Sequence, residues 1–254
     1  MHNKVKILGT NVSSITNLDL LDAFTAIVLN KKKTQVCITP VNSLLVAYQN
    51  PEVKSVYNNS AFVICDSVPL KWASLFLGVP IKERITGLDL LPDLVELSAK
   101  NNFSIFLLGA SPGVGEKLKK AILAKYPNCN VNGIYVPPFM KVFSEEENKK
   151  MVDAVNNASP DILLVSLTAP KQDIWIAQNL NQLNATLCVG IGGAFEVMAG
   201  IAKRSPYWMQ KVGLEWFYRL IQEPRRLYKR YLIEAPAFIP LVIKQKMGWL
   251  KSND

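Results

Sequence analysis

The stretch FSIFLLGASPGVGEKLKKAILAKYP, residues 103–127, decides the fold class. It begins with a short continuous apolar run, passes through a loop that contains Gly109 and Gly113, and continues with apolar residues at helical spacing. A run of this kind is typical of a buried strand in a parallel sheet, and the segment after it is typical of the covering helix. The stretch therefore predicts one strand–loop–helix unit of an α/β fold.

The same alternation recurs along the chain. Helical patterns lie between predicted strands at VKILGTNV, TQVCITPV, AFVICD, VNGIYV, DILLVSL and TLCVGIGGAF. The helix SEEENKKMVDAVNNAS begins with Ser144 and Glu147 in capping-box spacing. We therefore expect a Rossmann-like, mostly parallel sheet flanked by helices, with ligands bound beyond the carboxyl ends of its strands.

The composition excludes several classes of protein. Of the 254 residues 49% are hydrophobic, but no apolar run reaches the ~18–20 residues of a membrane span. The N-terminus lacks the apolar region of a signal peptide. Four dispersed cysteines and one histidine, His2, argue against a disulfide scaffold and most zinc sites and favour a reducing cytoplasm. A general base is therefore expected to be a carboxylate. Because the sequence also lacks a D-x-D pair, we expect neither a metal nor a cofactor.

The net charge of +9 is concentrated near the C-terminus. From Lys203 onward eleven Lys/Arg stand against four Asp/Glu, a balance of +7, whereas the first 202 residues carry only +2. We therefore predict an α/β catalytic domain of residues 1–202 and a basic helical appendage of residues 203–254 that faces an anionic partner. Within the appendage Pro224 predicts a break between two helices.

Four interpretations fit this basic, aromatic-rich segment. An apolar run followed by lysines near the C-terminus favours an anionic membrane surface. Alternatively, the apolar side packs on the main domain and the charges face water. A nucleic acid would suit the same mixture of residues, but it leaves the glycine loops and Asp66 without a role. The aromatic residues also favour self-association into a homo-oligomer.

Two loops carry groups that suit an anion. The loop with Gly109 and Gly113 lets backbone N–H groups at a helix N-terminus approach a phosphate, although a tight turn explains it equally well. Lys171 and Gln172 begin a predicted helix and suit a diphosphate or a sugar hydroxyl. The alternative for them is an ordinary solvated helix start.

Two further loops carry carboxylates. Glu196 follows a glycine turn and either accepts hydrogen bonds from a base or ribose or is a first-turn glutamate favoured by the helix dipole. Asp66 ends an apolar strand and is either a helix cap or a catalytic base. Arg84 and Asp89 form an ion pair or belong to the site. The glycines of the turn before Glu196 are Gly190, Gly192 and Gly193.

Taken together, these stretches resemble one family. The matching blocks are CDSVPLKWA, ERITGLDLL, LLGASPGVGEK, APKQDIW and GIGGAFEVMAGIAKRSPYWMQKVGLEWFYRLIQEPRRLYKRYL. They resemble the WecG/TagA/CpsF glycosyltransferases of bacterial surface-polysaccharide synthesis over about residues 39–232. The resemblance implies inverting transfer from a UDP-sugar, such as UDP-N-acetylmannosamine, to a sugar linked to a polyprenyl diphosphate. It also implies that the chain works at the cytoplasmic face of the membrane.

The resemblance also implies roles for individual residues. It places the general base on Asp66, and the donor contacts on the glycine loops and on the loop from Thr39, a second predicted catalytic residue, to Asn42. Without a metal, backbone N–H groups and cations must meet the charge of the leaving diphosphate. The cations that suit this task are Arg84, Arg219, Arg226 and Lys229.

The chain departs from the family pattern at several positions. Ser67 follows the base where glycine is common, Glu196 stands at a common aspartate, and Lys229 replaces a frequent arginine and so loses bidentate phosphate binding. These changes bear on sugar specificity more than on reaction class. A capsule or exopolysaccharide transferase that uses UDP-glucose or UDP-galactose is therefore the alternative.

Overall fold

Eight strands and thirteen α-helices build the structure, a computed structural model that describes residues 2–250 apart from the side chains of Lys211 and Arg226. The strands are β1 Asn3–Ile7, β2 Thr10–Ser14, β3 Thr34–Thr39, β4 Phe62–Cys65, β5 Ser104–Gly109, β6 Asn130–Tyr135, β7 Ile162–Ser166 and β8 Leu187–Gly190. Six of them form one parallel sheet in the order β4–β3–β8–β7–β5–β6. The predicted Rossmann-like α/β fold is confirmed.

One or two helices follow each strand of the central sheet before β8. The helices are α1 Asn17–Leu29, α2 Val41–Gln49, α3 Pro51–Asn59, α4 Val68–Leu77, α5 Gly87–Asn101, α6 Val114–Lys125, α7 Glu145–Ala158, α8 Lys171–Asn179, α9 Ala194–Met198, α10 Tyr207–Lys211, α11 Glu215–Gln222, α12 Pro224–Tyr228 and α13 Phe238–Lys246. A π-helical turn at Lys229–Glu234 and a 3-10 turn at Ala235–Ala237 join the last two. Helices cover both faces of the sheet, and every residue of β3, β4, β5, β7 and β8 is buried.

The segment predicted as one strand near the N-terminus is instead a hairpin. β1 and β2 pair antiparallel, outside the central sheet, around Leu8 and Gly9. Both turn residues have positive φ, 48° and 84°, which matches the turn type that suits a two-residue hairpin loop. The prediction of a single strand was wrong because leucine rarely adopts this conformation and gives no turn signal.

Two local signals in the sequence are confirmed. The Ser144 hydroxyl accepts a hydrogen bond from the Glu147 backbone N–H at 3.2 Å, so α7 begins where its capping sequence predicts. Pro224 occupies the first turn of α12, directly after α11 ends. Here the fixed φ of proline suits the start of a helix.

The C-terminal helices pack against the α/β body. Phe238 and Val242 of α13 are buried in the same apolar cluster as residues of β1, α2, α3 and α4. Gln245 accepts a hydrogen bond from the backbone N–H of Leu8 at 2.7 Å. The division into domains at residue 202 stays a prediction. No helix within residues 2–250 has both the length and the apolar character needed to cross a bilayer.

Candidate active site

A cavity of about 670 Å³ lies at the carboxyl ends of β4, β3 and β8. Because neighbouring strands of a parallel sheet end at the same edge, their following loops converge there. The β3–α2 loop, the start of α4, the residues before α5, the start of α8 and the β8–α9 loop all line the cavity. Residues from Val212 to Ile239 in the C-terminal region close it from the other side.

Asp66 lies in the wall of this cavity, directly after β4. Its backbone N–H donates to the Thr39 carbonyl oxygen at 3.3 Å, which fixes it beside the end of β3. Ser67, not Asp66, is the N-cap residue of α4, so capping does not account for the aspartate. Burial raises the pKa of the Asp66 carboxyl to about 6. A base with such a pKa is ionised near neutral pH and still has useful proton affinity.

Three guanidinium groups of the cavity act electrostatically on the Asp66 carboxylate. Arg219, Arg84 and Arg230 each lower its pKa, in that order, whereas Glu215 raises it. All of these side chains line the cavity. The site therefore combines one basic carboxylate with a concentration of positive charge, which suits a polyanionic ligand that reacts with a hydroxyl group.

Glu215 joins the C-terminal region to the α/β body. One carboxylate oxygen accepts from Arg84 at 3.1 Å, and the other accepts from Arg204 at 3.2 Å. Arg204 also donates to Asp89, whose second oxygen accepts from the Thr86 hydroxyl at 2.7 Å. The network lies largely out of solvent, because only 14% of the Glu215 side chain is exposed. It holds the start of α11 at the cavity.

Two cations remain available to a ligand. Arg230 donates through Nε to the Asn42 side-chain oxygen at 2.8 Å, so its terminal nitrogens are not used in that bond. Arg219 lies beside Gly193: a Cβ atom added to this glycine would be 3.9 Å from Arg219 Nη2. Arg219 has no ion-pair partner among the residues that the structure describes.

Gln172 and the β8–α9 loop form the other side of the cavity. The Gln172 side-chain oxygen accepts from the Gly192 N–H at 3.1 Å, and the Ser166 hydroxyl donates to the Gly192 carbonyl at 2.8 Å. Gly192 has a φ of 62°, which favours glycine. A Cβ atom on Gly190 would lie 2.6 Å from Asp173 Oδ1 and 2.7 Å from Gln172 Nε2. Glycine at 190 therefore lets α8 approach the sheet.

A buried polar network lies behind Gln172. Asp173 is fully buried, and one of its oxygens accepts from the Tyr57 hydroxyl at 3.1 Å. Gln35 donates to the Asp173 backbone carbonyl at 2.7 Å. Burial raises the pKa of the Asp173 carboxyl to about 8, against the opposing hydrogen bonds from Tyr57 and Cys37. The carboxyl is therefore largely protonated at neutral pH.

Replacing Asp173 by Asn should flatten the pH dependence of the free energy of unfolding. The carboxyl ionises near 3.8 in the unfolded chain and near 8 in the folded one, so folding takes up a proton between about pH 4 and pH 8. This contribution to stability is lost as pH rises, by up to about 1.4 kcal/mol per pH unit. An asparagine side chain has nearly the shape of the aspartic acid side chain but does not take up this proton on folding. We expect urea unfolding to show that, from about pH 4 to pH 8, the free energy of unfolding of the variant rises by several kcal/mol relative to that of the parent chain.

The matched control for this experiment is Asp153→Asn. Asp153 is an exposed member of an i,i+4 ion pair with Lys149 on α7. Its variant should follow the pH dependence of the parent chain within about 0.5 kcal/mol. Parallel curves for the Asp173 variant and the parent would show that Asp173 does not bind a proton on folding.

The structure brings eight of the predicted site residues to the cavity. They are Asn42, Asp66, Arg84, Gln172, Gly190, Gly192, Gly193 and Arg219. Thr39 lies behind Asp66, fully buried, with its hydroxyl 3.5 Å from the Cys37 carbonyl oxygen. Its role as a catalytic residue stays a prediction.

The β5–α6 loop lies outside the cavity lining. Gly109 packs against β7, where an added Cβ atom would be 2.4 Å from the Ser166 carbonyl oxygen. Gly113 is the N-cap residue of α6 and has a φ of 79°. Because β7 separates β5 from β8 in the sheet, this loop stands two strands farther from Asp66 than the β8–α9 loop does.

Three more predicted residues, all with described side chains, do not line the cavity. Lys171 donates to the Met140 carbonyl, and its ammonium lies 3.7 Å from the centroid of the Phe143 ring, so it fixes the loop before α7. Glu196 is in the first turn of α9, and its Oε2 is buried without a partner. Lys229 is exposed at the start of the π-helical turn. The side chain of Arg226 lies outside the described residues.

The sequence analysis missed three contributors. Glu215 was missed because the analysis of its stretch considered the cations and aromatic residues. The signal was an acid directly before Trp216 and Phe217. Arg230 contacts Asn42 across 188 positions, which no local pattern reveals. Asp173 sits in a predicted solvated helix start yet is fully buried. Residues 2–250 contain no group of three or more His, Cys, Asp or Glu side chains placed to hold a metal ion.

Comparisons with known proteins identify the family of the chain. The family model for the glycosyl transferase WecG/TagA/CpsF family matches residues 5–252. Relatives from Staphylococcus aureus strains MRSA252 and MW2 are each 28% identical over 245 residues, which cover 96% of this chain and 93% of theirs. Each relative is named N-acetylglucosaminyldiphosphoundecaprenol N-acetyl-beta-D-mannosaminyltransferase. The chain therefore belongs to the WecG/TagA/CpsF family of glycosyltransferases.

Proposed function

We propose that this glycosyltransferase moves N-acetylmannosamine, or a related hexosamine, from a UDP-sugar to an amino sugar linked to a polyprenyl diphosphate. The names of the S. aureus relatives support both the transferred sugar and the class of acceptor. One observation carries the proposal. The Asp66 carboxylate lies among guanidinium groups in a cavity large enough for a sugar nucleotide.

The proposed reaction is a single displacement with inversion and without a metal. Asp66 takes the proton of the acceptor hydroxyl as its oxygen bonds to the anomeric carbon of the donor. The bond from that carbon to the diphosphate breaks on the opposite face, and UDP leaves with the electron pair. Arg219, beside the β8–α9 loop, stabilises the charge that develops on the leaving group.

We also propose that the chain works in the cytoplasm, bound peripherally to the inner face of the cell membrane. The basic C-terminal region supports this, because Arg225, Lys229, Lys244 and Lys246 are all exposed. Clusters of basic residues attract the anionic lipids of such a surface. Binding there would bring the cavity to an acceptor that is itself anchored in the bilayer.

The test is UDP release from a panel of UDP-sugars, with and without an N-acetylglucosamine acceptor linked to a lipid diphosphate. Each reaction is run both with and without EDTA. We expect release that depends on the acceptor, from UDP-N-acetylmannosamine alone, at a rate that EDTA does not change. Release only from UDP-glucose or UDP-galactose would favour the alternative donor class. Restoration of activity by Mg²⁺ or Mn²⁺ would contradict the metal-free mechanism, and UDP binding without release would contradict catalysis of this transfer.

A further inference from the structure

Helix α4 is apolar on both of its sides. Leu70, Ala73 and Ser74 face the body of the protein and are buried. On the opposite side Trp72, Leu75 and Phe76 are 64%, 55% and 51% exposed. A helix that is hydrophobic all round is normally enclosed, so the exposed side of α4 is expected to have a partner.

Helix α13 repeats this arrangement beside α4. Its Phe238 and Val242 are buried, whereas Ile239 and Ile243 are 61% and 43% exposed. Because the two exposed isoleucines are four positions apart, they lie on one face of the helix. We call the exposed residues Trp72, Leu75, Phe76, Ile239 and Ile243 the apolar strip.

The two helices run in the same direction away from the cavity. Trp72 and Ile239, near their starts, both line it. At the far end, a Cβ atom added to Gly78, just past α4, would lie 3.8 Å from the Lys246 ammonium at the end of α13. The apolar strip therefore begins at the cavity, and its two helices are still close together at their far ends.

We propose that the apolar strip inserts into the surface of an anionic lipid bilayer, so that α4 of the α/β body, together with α13, docks the active site on the membrane. This inference rests on the proposed function for its biological setting. Apolar side chains at an interface sit at the boundary of the acyl chains, while nearby cations bind lipid phosphates. Lys244 and Lys246 on α13 are exposed and provide those cations.

Charge favours a bilayer over a second copy of the chain. Residues from Lys203 onward carry a balance of +7, and α13 belongs to them. Two copies joined through this face would bring like charges together, whereas an anionic membrane neutralises them. Docking through α4 also fixes the orientation of the cavity, because Trp72 belongs both to the apolar strip and to the cavity wall.

The test replaces Leu75 and Phe76 together by serine in the full chain. Both side chains are exposed and neither lines the cavity, so fold and active site should be retained. The control replaces Leu18 and Leu29 of α1 by serine, which are 70% and 66% exposed on another helix. We expect the affinity for phosphatidylglycerol vesicles, measured by co-sedimentation, to fall at least about tenfold in the α4 variant and to stay unchanged in the control.

The rate of sugar transfer by the α4 variant and by the parent chain is then measured with two acceptors. With an acceptor embedded in vesicles, the α4 variant should lose about as much activity as it loses in affinity. With a short-chain acceptor dissolved in water, it should equal the parent chain. Vesicle binding is read without turnover, so an inactive protein that loses binding through α4 would support this inference while contradicting the proposed function.

Two results would overturn the inference. One is unchanged vesicle affinity in the α4 variant. The other is a parent chain that sediments as a dimer and a variant that sediments as a monomer, which would make a second copy the partner. An independent measurement uses phospholipids brominated on their acyl chains, which quench the fluorescence of a tryptophan that enters the bilayer. The amount of fluorescence quenched should be larger in the parent chain than in the Trp72→Phe variant. Equal quenching would show that Trp72 does not enter the bilayer.

Discussion

Replacing Asp66 by Asn should lower kcat about 10³-fold without weakening the binding of UDP. The amide keeps the size of the side chain but cannot accept the proton of the acceptor hydroxyl, and a positioned general base contributes roughly 10²–10⁴-fold to rate. UDP binding should persist because the arginines of the cavity remain in place. Steady-state kinetics with a saturating acceptor gives kcat, and calorimetry with UDP gives the affinity.

The same carboxylate should set the acidic side of the pH profile. Because the Asp66 pKa is about 6, the ionised base is present above that pH and is lost below it. We therefore expect kcat/KM to fall about tenfold per pH unit below about pH 6. Asp22→Asn, an exposed change on α1, is the control and should leave both rate and profile unchanged. Full turnover by the Asp66 variant would remove the residue from the role of base.

Replacing Arg219 by Ala should lower kcat about 10²-fold and move the acidic side of the profile to higher pH. The first effect follows because a cation aimed at a leaving diphosphate acts mainly in the transition state. The second follows because Arg219 is the strongest of the groups that lower the Asp66 pKa. A merely structural role would not move the pH profile. Initial rates across the pH range measure both effects.

Arg225→Ala is the matched control for this variant. It removes the same charge from the same C-terminal region, but the side chain is exposed and does not line the cavity. We expect its rate with a water-soluble acceptor to lie within about twofold of the parent chain. If both variants lose activity equally, the effect comes from the net charge of the region and not from Arg219 in the site.

Much of the fold could be predicted because its signals are local. Continuous apolar runs gave the strands of the central sheet, and Ser144 and Pro224 fixed helix starts through short-range backbone geometry. The hairpin at β1 and β2 could not be predicted in the same way. Its turn depends on Leu8, whose left-handed backbone is held by tertiary contacts, including a hydrogen bond to Gln245.

The sequence predicted which loops carry polar groups. It did not predict which of these loops lie together, because that depends on the order of the strands in the sheet. Asp66 and the glycines after β8 follow strands that flank β3, so they meet in one cavity. The loop with Gly109 and Gly113 has the same local character but follows β5, on the far side of β7. Nothing in its sequence distinguishes the two positions. The bridge from Glu215 to Arg84 spans 131 residues and likewise depends on the finished fold.

The hydrogen bond from Arg230 to Asn42 has a consequence for folding during synthesis of the chain. It joins two walls of the same cavity that are synthesised 188 positions apart. Contacts between residues so far apart in sequence slow folding, because closing a long loop costs entropy before the contact forms. A ribosome-bound chain that already contains Asp66 and the glycine loops still lacks the cations of its C-terminal wall. We therefore expect a chain that ends before Arg230 to lack one wall of the cavity and to transfer no sugar.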